Sequence, residues 1–335
     1  MPPPPPPAVE TTTSAEEGQE PAPTDPLANW DPSENEFQAL SDRLAFVRPL
    51  VPYPGWHFDI EWDNPDLAFR MRRKIWSHCQ ARQIEVPVQF KWYDDIKLVL
   101  PLGNDQSRQI FIGGCTEPNE FAFLDKILKP GDVFIDAGAN DGLYSLFASR
   151  RVGEAGMVWA FEPSRREFDR LTEHIRINAL SNIRPFRMAL SHFHGTAQLS
   201  IADHEHAGLN TLGDFIHPGI TLIRKETVHA STLDRFVREN AIERLDAMKL
   251  DVEGEEGGLL EGARSVLEQM RPSILFEFTS TRPAKNDFVL NLLHALKYAI
   301  YCFDPATGRP VRMDGPPVGN NLAALPEGKS VPEEL

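Results

Sequence analysis

The sequence predicts a doubly wound, Rossmann-like α/β fold around a mostly parallel sheet, and three observations carry that expectation. Val133-Phe-Ile-Asp136 is a short apolar run closed by an acid, and a turn with Gly138 and Gly142 leads from it into a segment whose Leu143, Leu146 and Phe147 share a helical face. Met157-Val-Trp-Ala-Phe161 is a second such run, closed by Glu162. From Asp132 onward, short apolar runs alternate with helical patterns, the order that yields parallel strands covered by helices.

Taken along the chain, residues 1–35 are rich in Pro, Glu, Thr and Ala. They carry too little apolar surface to offset the entropy of ordering, so a disordered tail is expected. Its Pro2–Pro7 run favours an extended polyproline conformation that can dock in an aromatic groove. Residues 36–130 read as a helix and hairpin extension packing on the domain that follows. With Trp30 just before it, this stretch holds Trp56, Trp62, Trp76 and Trp92, five of the six tryptophans. Leu67–Gln80 reads as a helix. Lys97–Leu102 and Gln109–Ile112 read as two strands of a hairpin about Gly103-Asn104-Asp105. Glu120–Leu128 reads as a helix running into the Lys129-Pro-Gly131 turn. The extension suits a cap over a pocket and plain packing support equally well.

Residues 131–315 form the expected main domain. Ser164-Arg-Arg-Glu167 is a capping-box pattern ahead of Phe168, Leu171 and Ile175 at helical spacing. Ile183–Leu190 reads as the third strand, with Gly195–Ile201 and Lys225–His229 as additional strands. Ser231-Thr-Leu-Asp234 caps a short helix bearing Leu233, Phe236 and Val237. Ala247–Asp251 and Ser273–Phe278 read as the fourth and fifth strands. Leu259, Leu260, Ala263, Val266, Leu267 and Met270 mark one face of the helix between them. Phe288–Leu296 is a helix and Tyr298–Phe303 a strand, and the stretch from Asp304 suits a returning strand. Residues 316–335 read as a flexible C-terminal tail. No internal repeat is present.

Composition narrows the function. Among 335 residues, 49 are acidic and 34 are Lys or Arg, a net charge of −15. Such a surface repels phosphate backbones, so no nucleic-acid partner is expected. Cys79, Cys115 and Cys302 are far apart and form no Cys-x-x-Cys pair, which suits a reduced, cytoplasmic protein. No run approaches the ~20 apolar residues of a membrane span, and the N-terminus lacks the basic and apolar parts of a secretory signal.

The glycine turn indicates the ligand. Asp136-Ala-Gly-Ala-Asn-Asp-Gly142 has the form acid-x-Gly-x-x-x-Gly. Gly138 opens a backbone conformation closed to residues with a β-carbon, and lets the main chain approach a ligand. A dinucleotide site favours Gly-x-Gly-x-x-Gly, with bare N–H groups facing a pyrophosphate. Here Asn140 and Asp141 stand in the loop, an acidic setting that disfavours phosphate and suits positive charge. S-adenosyl-L-methionine has no phosphate and carries a sulfonium and an ammonium, with Asp136 placed near the methionine end. Glu162, at the tip of the second strand, is placed to accept hydrogen bonds from a ribose diol; helix-start acids also occur for dipole reasons alone. Lys249-Leu-Asp-Val-Glu-Gly-Glu255 puts Asp251 and Glu253 at the same rim. If this segment is extended, alternation sets both on one side. Four roles stay open for them: orienting an acceptor hydroxyl, taking its proton, holding a metal, or binding the methionine ammonium.

These pieces together resemble the FkbM-type family of S-adenosylmethionine-dependent methyltransferases. The resemblance runs over about residues 90 to 305. It rests on Phe111-Ile-Gly-Gly-Cys-Thr-Glu-Pro118, Lys129-Pro-Gly-Asp-Val-Phe-Ile-Asp-Ala-Gly-Ala-Asn140, Phe161-Glu-Pro163, Asn178-Ala-Leu-Ser-Asn182, Ala189-Leu-Ser191, Thr232-Leu-Asp234, Lys249–Glu255 and Leu260-Glu-Gly-Ala263. The resemblance implies a seven-stranded sheet of the class I methyltransferase type, its last strand antiparallel, and methyl transfer to a hydroxyl on a sugar, polyketide or related metabolite. By position it implies Asp136, Gly138, Asn140 and Gly142 as the cofactor loop, Glu162 as the ribose acid, and Met188 and Ala189 as the adenine border. Asp141 and His192-Phe-His194 depart from the family pattern.

A hydroxyl nucleophile needs a proton acceptor in the transition state. Asp251 is the strand-end candidate. His204 and His206 lie in a loop expected to overhang the crevice and are the histidine candidates, whereas His192 and His194 read as turn residues. Glu117, Asn210 and Glu253 are rim candidates for the small-molecule or glycan acceptor. His-x-His is a weak metal spacing without a third ligand, so no metal is assigned. Two other readings remain: a nicotinamide-dependent oxidoreductase, against which the missing middle glycine speaks, and a non-catalytic scaffold binding partners through its Pro-rich tail.

Overall fold

Short apolar runs pair in parallel only when each connection returns the chain to the same end of the sheet, and that is the arrangement at the centre of this protein. The computed structural model describes residues 34–57, 60–215, 219–278, 283–315 and 319–332; the Pro-rich stretch, apart from its last residues, lies outside them. Helices α1 (Glu34–Leu44) and α2 (Leu67–Ala81) precede strands β1 (Val86–Lys91) and β2 (Lys97–Leu102), which pair antiparallel. Next come α3 (Asp105–Gly113) and α4 (Pro118–Ile127). Residues 109–112, expected as a strand, are helical. The Asn104 side chain accepts the Ser107 N–H and caps α3, and Gly114 ends it in the left-handed conformation. The partner of β2 is instead β1, whose strict buried–exposed alternation marks a half-covered strand.

The main sheet takes its strands from β3 (Val133–Ala137), β4 (Met157–Phe161), β5 (Ile183–Phe186), β9 (Ala247–Leu250), β10 (Ser273–Glu277), β11 (Tyr298–Phe303), β12 (Pro310–Arg312) and β13 (Asn321–Pro326). Strands β6 (Ala189–Leu190), β7 (Gly195–Ala202) and β8 (Leu222–Ser231) form a separate three-stranded sheet, so the expected third strand divides at Arg187-Met188. The main order is β5-β4-β3-β9-β10-β13-β11-β12. Strands β5 to β10 are mutually parallel, and β13 runs antiparallel between β10 and β11. The seven strands implied by the family resemblance are therefore present, and β12 adds an eighth at the edge, where Pro310 leaves no inner ladder unpaired.

The helices are α5 (Leu143–Val152), α6 (Arg165–Ile177), α7 (Leu233–Glu239), α8 (Glu256–Glu261), α9 (Arg264–Gln269) and α10 (Pro283–Ala295). The single helix expected over 259–270 is two, divided at Gly262-Ala263: a β-carbon at Gly262 would strike the Ser191 carbonyl. The expected tail from 316 also differs. Residues 321–326 form β13, with Leu322, Ala323, Ala324 and Leu325 fully buried. An Asn-Leu-Ala-Ala-Leu-Pro run has no alternation because both of its faces are covered.

The core packs on both sides of this sheet. Ile135, Met248, Ile274 and Phe276 meet Leu259, Leu267 and Leu293 from the helices. The extension is stitched on by hydrogen bonds from the Val99 N–H to His174 Nε2 at 2.9 Å and from Arg151 to Asp125 at 2.6 Å. Cys79, Cys115 and Cys302 are buried and form no disulfide among the described residues. Among the described residues no helix is long and apolar enough to cross a membrane. In register, Ala137 opposes Phe161 and Leu250, and Leu250 opposes Phe276. The loops after four strands therefore open at one rim, where the strand order reverses between β3 and β9 and ligands settle in such sheets.

Candidate functional site

The loop after β3 forms the floor of a cleft. Asp136 is fully buried, and Ser145 Oγ donates to its Oδ2 at 2.6 Å. Its Oδ1 has no hydrogen-bond partner among the described residues. Burial raises the Asp136 pKa, against the pull of Lys249 and Ser145. Gly138 takes φ +80°, and a β-carbon there would overlap the Asp251 carbonyl, so only glycine lets β3 and the β9 turn meet. The Gly138 and Ala139 N–H groups donate to Phe161 O at 3.0 and 2.9 Å, and the Gly142 N–H to Ala139 O at 2.8 Å.

Glu162, at the tip of β4, accepts the Asn140 N–H at 2.9 Å through one oxygen and the Ser164 N–H at 2.8 Å through the other. It thereby ties the glycine loop to the start of α6. Burial, with Glu167 beside it, pushes its pKa up to about 8, against these two donors. Opposite stands an apolar wall of Phe161, Met188, Ala189, Leu190, Leu199 and Leu212.

The third wall is the turn after β9. Glu253 at φ +54° and Gly254 at φ +89° are both left-handed. Glu256 Oε1 accepts the Val252 and Gly254 N–H groups, each at 3.1 Å, and Thr211 Oγ1 donates to Glu253 O at 2.9 Å. Asp251 and Glu253 thus share the cleft, as expected, through a left-handed turn and not through extended alternation. Lys249 Nζ donates to Asp251 Oδ2 at 2.7 Å and lies 4.4 Å from the Tyr144 ring centroid. Burial alone would lower the Lys249 pKa; Asp251, Asp136 and Glu117 outweigh it and raise it, so the ammonium stays charged. Burial and the neighbouring Glu277 and Asp251 raise the Glu253 pKa well above the carboxylate range.

Gly138, Asn140, Glu162, Met188, Ala189, Asn210, Asp251 and Glu253 line this one cleft. Asp136, Gly142 and Glu117, also expected at the site, are not among the residues that line it. Asn210 lines it with an occupied amide, which accepts the Ala202 N–H and donates to Glu167 and to Ala207 O. Glu117 stands at φ +45° and accepts from Tyr144 Oη and Asn321 Nδ2, each at 2.6 Å. His204 and His206, expected over the crevice, do not line it. His204 Nδ1 pairs with Glu85 at 2.5 Å and His206 Nδ1 with Asp203 at 2.8 Å. Their loop docks on the extension through Glu205, which takes the Asp105 N–H at 3.0 Å. Asp141 also leaves the cleft: its Oδ1 accepts from Gln106 at 2.8 Å.

Sequence reasoning missed Lys249, Tyr144 and Glu277. Glu277 closes β10 as Asp136, Glu162 and Asp251 close or follow their own strands, so the strand-tip rule would have found it. Lys249 stood inside a quoted motif but had no role, because Asp136 and Glu117, which with Asp251 keep it charged, come from other elements.

Residues 136–300 match the family model described as the Methyltransferase FkbM domain. The methyltransferase sdnD of Sordaria araneosa is 31% identical over 160 residues, 40% of this chain and 61% of that protein. The hexuronic acid methyltransferase AglP of Haloferax volcanii is 28% identical over 142 residues, 42% of this chain and 53% of that protein. The chain thus spans between half and two thirds of the length of these curated relatives. Among solved structures, the methyltransferase FkbM of Methylobacillus flagellatus KT aligns with a TM-score of 0.38 at 13% identity, covering 79% of this chain and 60% of that one.

Proposed function

With residues 136–300 forming a Methyltransferase FkbM domain, we propose that the protein is an S-adenosyl-L-methionine-dependent O-methyltransferase acting on a hydroxyl of a sugar, polyketide or related small molecule. The observation that carries this reading is the convergence of Glu162, Asp251 and Glu253 on one cleft with an apolar opposite wall. The donor set fits the cofactor. A carboxylate at a strand tip suits a ribose diol, Met188 to Leu190 with Leu199 and Leu212 suit an adenine face, and the buried acids suit a sulfonium and an ammonium. The unpartnered Asp136 Oδ1 adds negative potential at the floor.

Bound here, S-adenosyl-L-methionine supplies an electrophilic methyl group. The chain's own residues hold and deprotonate the acceptor. Lys249 fixes one oxygen of Asp251, and among the described residues no other hydrogen bond is made to that carboxylate. Its second oxygen then serves as proton acceptor for the hydroxyl, while the cleft walls orient the nucleophile and exclude water. The relative named as a hexuronic acid methyltransferase supports a sugar acceptor, and the net charge of −15 supports a partner other than nucleic acid.

A dinucleotide oxidoreductase is disfavoured by a specific feature. The N–H groups of Gly138, Ala139, Asn140 and Gly142 all donate within the protein, so they do not face a pyrophosphate. Titration calorimetry with S-adenosyl-L-methionine and S-adenosylhomocysteine tests the proposal, and absence of binding to both overturns it.

A further inference from the structure

We propose that Asp251, Glu253 and Glu277 form a binding site for a divalent cation of the hard, oxygen-seeking class: Mg²⁺, Mn²⁺ or Ca²⁺. One carboxylate oxygen from each lies within 4.8 Å of the other two. Ligands around a single such ion, bonded at about 2.0 to 2.6 Å, span separations of that size. The donor set is all oxygen, with neither imidazole nor thiolate, the set that suits hard cations.

Three elements build the group. Asp251 follows β9 and Glu277 ends β10, and these parallel neighbours hold Leu250 beside Phe276. Glu253 is delivered by the left-handed turn, which Glu256 clamps from the start of α8. A cluster of acids alone is common on protein surfaces and needs no ion. Glu253 separates this one from that class. It is only 9% exposed, and among the described residues no hydrogen-bond donor reaches its carboxylate. This carboxylate lines the cleft and is aimed at two further carboxylates, so three like charges converge there. Lys249, hydrogen-bonded to Asp251, brings one positive charge to the three carboxylates and leaves the excess negative charge of the group uncompensated. A cation held among the three oxygens would compensate it.

Three protein ligands leave coordination positions open toward the cleft that Asp251 and Glu253 line. Two adjacent oxygens of an acceptor, as in a vicinal diol or a hydroxy acid, fit those positions; with the ion bound, coordination would activate the hydroxyl, and the free Asp251 oxygen would act as ligand in place of proton acceptor. This use of the ion rests on the methyl-transfer reading; binding of the ion does not.

The test is titration of Mn²⁺ into the full chain after chelator treatment, with free Mn²⁺ read by electron paramagnetic resonance and Mg²⁺ and Ca²⁺ as competitors. The expected result is one saturable site, weakened at least tenfold in Glu253→Gln and in Glu277→Gln and unchanged in the surface control Glu268→Gln. Thermal melts of the same variants check folding, and Mn²⁺ should raise the melting temperature of the wild type but not of Glu253→Gln. No saturable Mn²⁺ site, or equal affinity in Glu253→Gln and wild type, overturns the inference. Calorimetry with S-adenosylhomocysteine on the same samples separates the two readings. Homocysteine-nucleoside binding without Mn²⁺ binding removes the cation site alone, and the converse removes the methyl-transfer reading alone.

Discussion

Replacing Glu162 with Gln should separate two jobs that one carboxylate performs. In the folded chain it accepts N–H groups from Asn140 at 2.9 Å and Ser164 at 2.8 Å. An amide offers one acceptor and one donor, so one N–H loses its partner, a cost of about 1–3 kcal/mol. Against this, the carboxyl group has a folded-state pKa near 8 where its ordinary value is 4.5. Folding therefore takes up a proton between these values. The protonated group's contribution to stability is present in full below about 4.5 and is lost as the pH rises through about 8. At 1.36 kcal/mol per unit, this amounts to about 5 kcal/mol at most. The amide escapes that loss. Relative to wild type, Glu162→Gln should be less stable near pH 5 and equally or more stable near pH 8.5, a reversal visible in thermal melts across that range. Cofactor binding should move the other way. Hydrogen bonds from a ribose diol to a charged acceptor are worth about 1.5–3 kcal/mol, so the Kd for S-adenosylhomocysteine should rise roughly 10- to 150-fold. In the wild type the ligand favours the ionised carboxylate, so affinity should tighten between pH 6 and 8, by at most about tenfold per unit, with proton release on binding; the variant should show a flat profile. An unchanged Kd in Glu162→Gln would reduce Glu162 to a tie for the loop. A stability difference independent of pH would refute the protonation argument.

Other outcomes follow from the same structure. Gly138→Ala must place a side chain in the left-handed region, costing about 1–2 kcal/mol, and push it against the Asp251 carbonyl; its melting temperature and S-adenosylhomocysteine binding should both fall. Gly131→Ala, at φ +89° with open space around it, should cost only the backbone term and leave binding unchanged. A chain ending at Asp314 loses β13 from between β10 and β11. It should lose cooperative unfolding in circular dichroism, and a sharp transition like that of the full chain would contradict the topology. His204→Gln should keep kcat within about twofold, since His204 pairs with Glu85 outside the cleft; a hundredfold loss would restore it as a base.

Much of this protein is legible locally. Strand β3, its glycine turn and α5 follow from an apolar run, two glycines and a helical stripe, all within a few residues of one another. Glu162 and Asp251 follow from the rule that ligands collect at the carboxyl ends of parallel strands. The errors share a cause. Ile110, Phe111 and Ile112 are apolar enough for a strand, and only the Asn104 cap and the packing against α2 make them a helix. Asn321–Pro326 resembles a tail because its neighbours are prolines and glycines, yet it fills a slot between two strands that precede it in the chain. His204 and His206 have the right chemistry for a base, but the docking of their loop on the extension carries them elsewhere.

By itself the sequence determined the parallel α/β order, the glycine loop and the acids that end its strands, because each depends on contacts between residues close along the chain. The tertiary structure alone decided which acids meet. Asp251, Glu253 and Glu277 converge because β9 and β10 are neighbours and a left-handed turn folds Glu253 back toward them. Lys249 acquires two of its charge partners in the same way: Asp136 and Glu117 join the neighbouring Asp251 from elements that the chain reaches at widely separated points. Hydrophobic periodicity specifies which face of an element is buried, whereas the electrostatics of a site depend on distances across elements, and those exist only after packing.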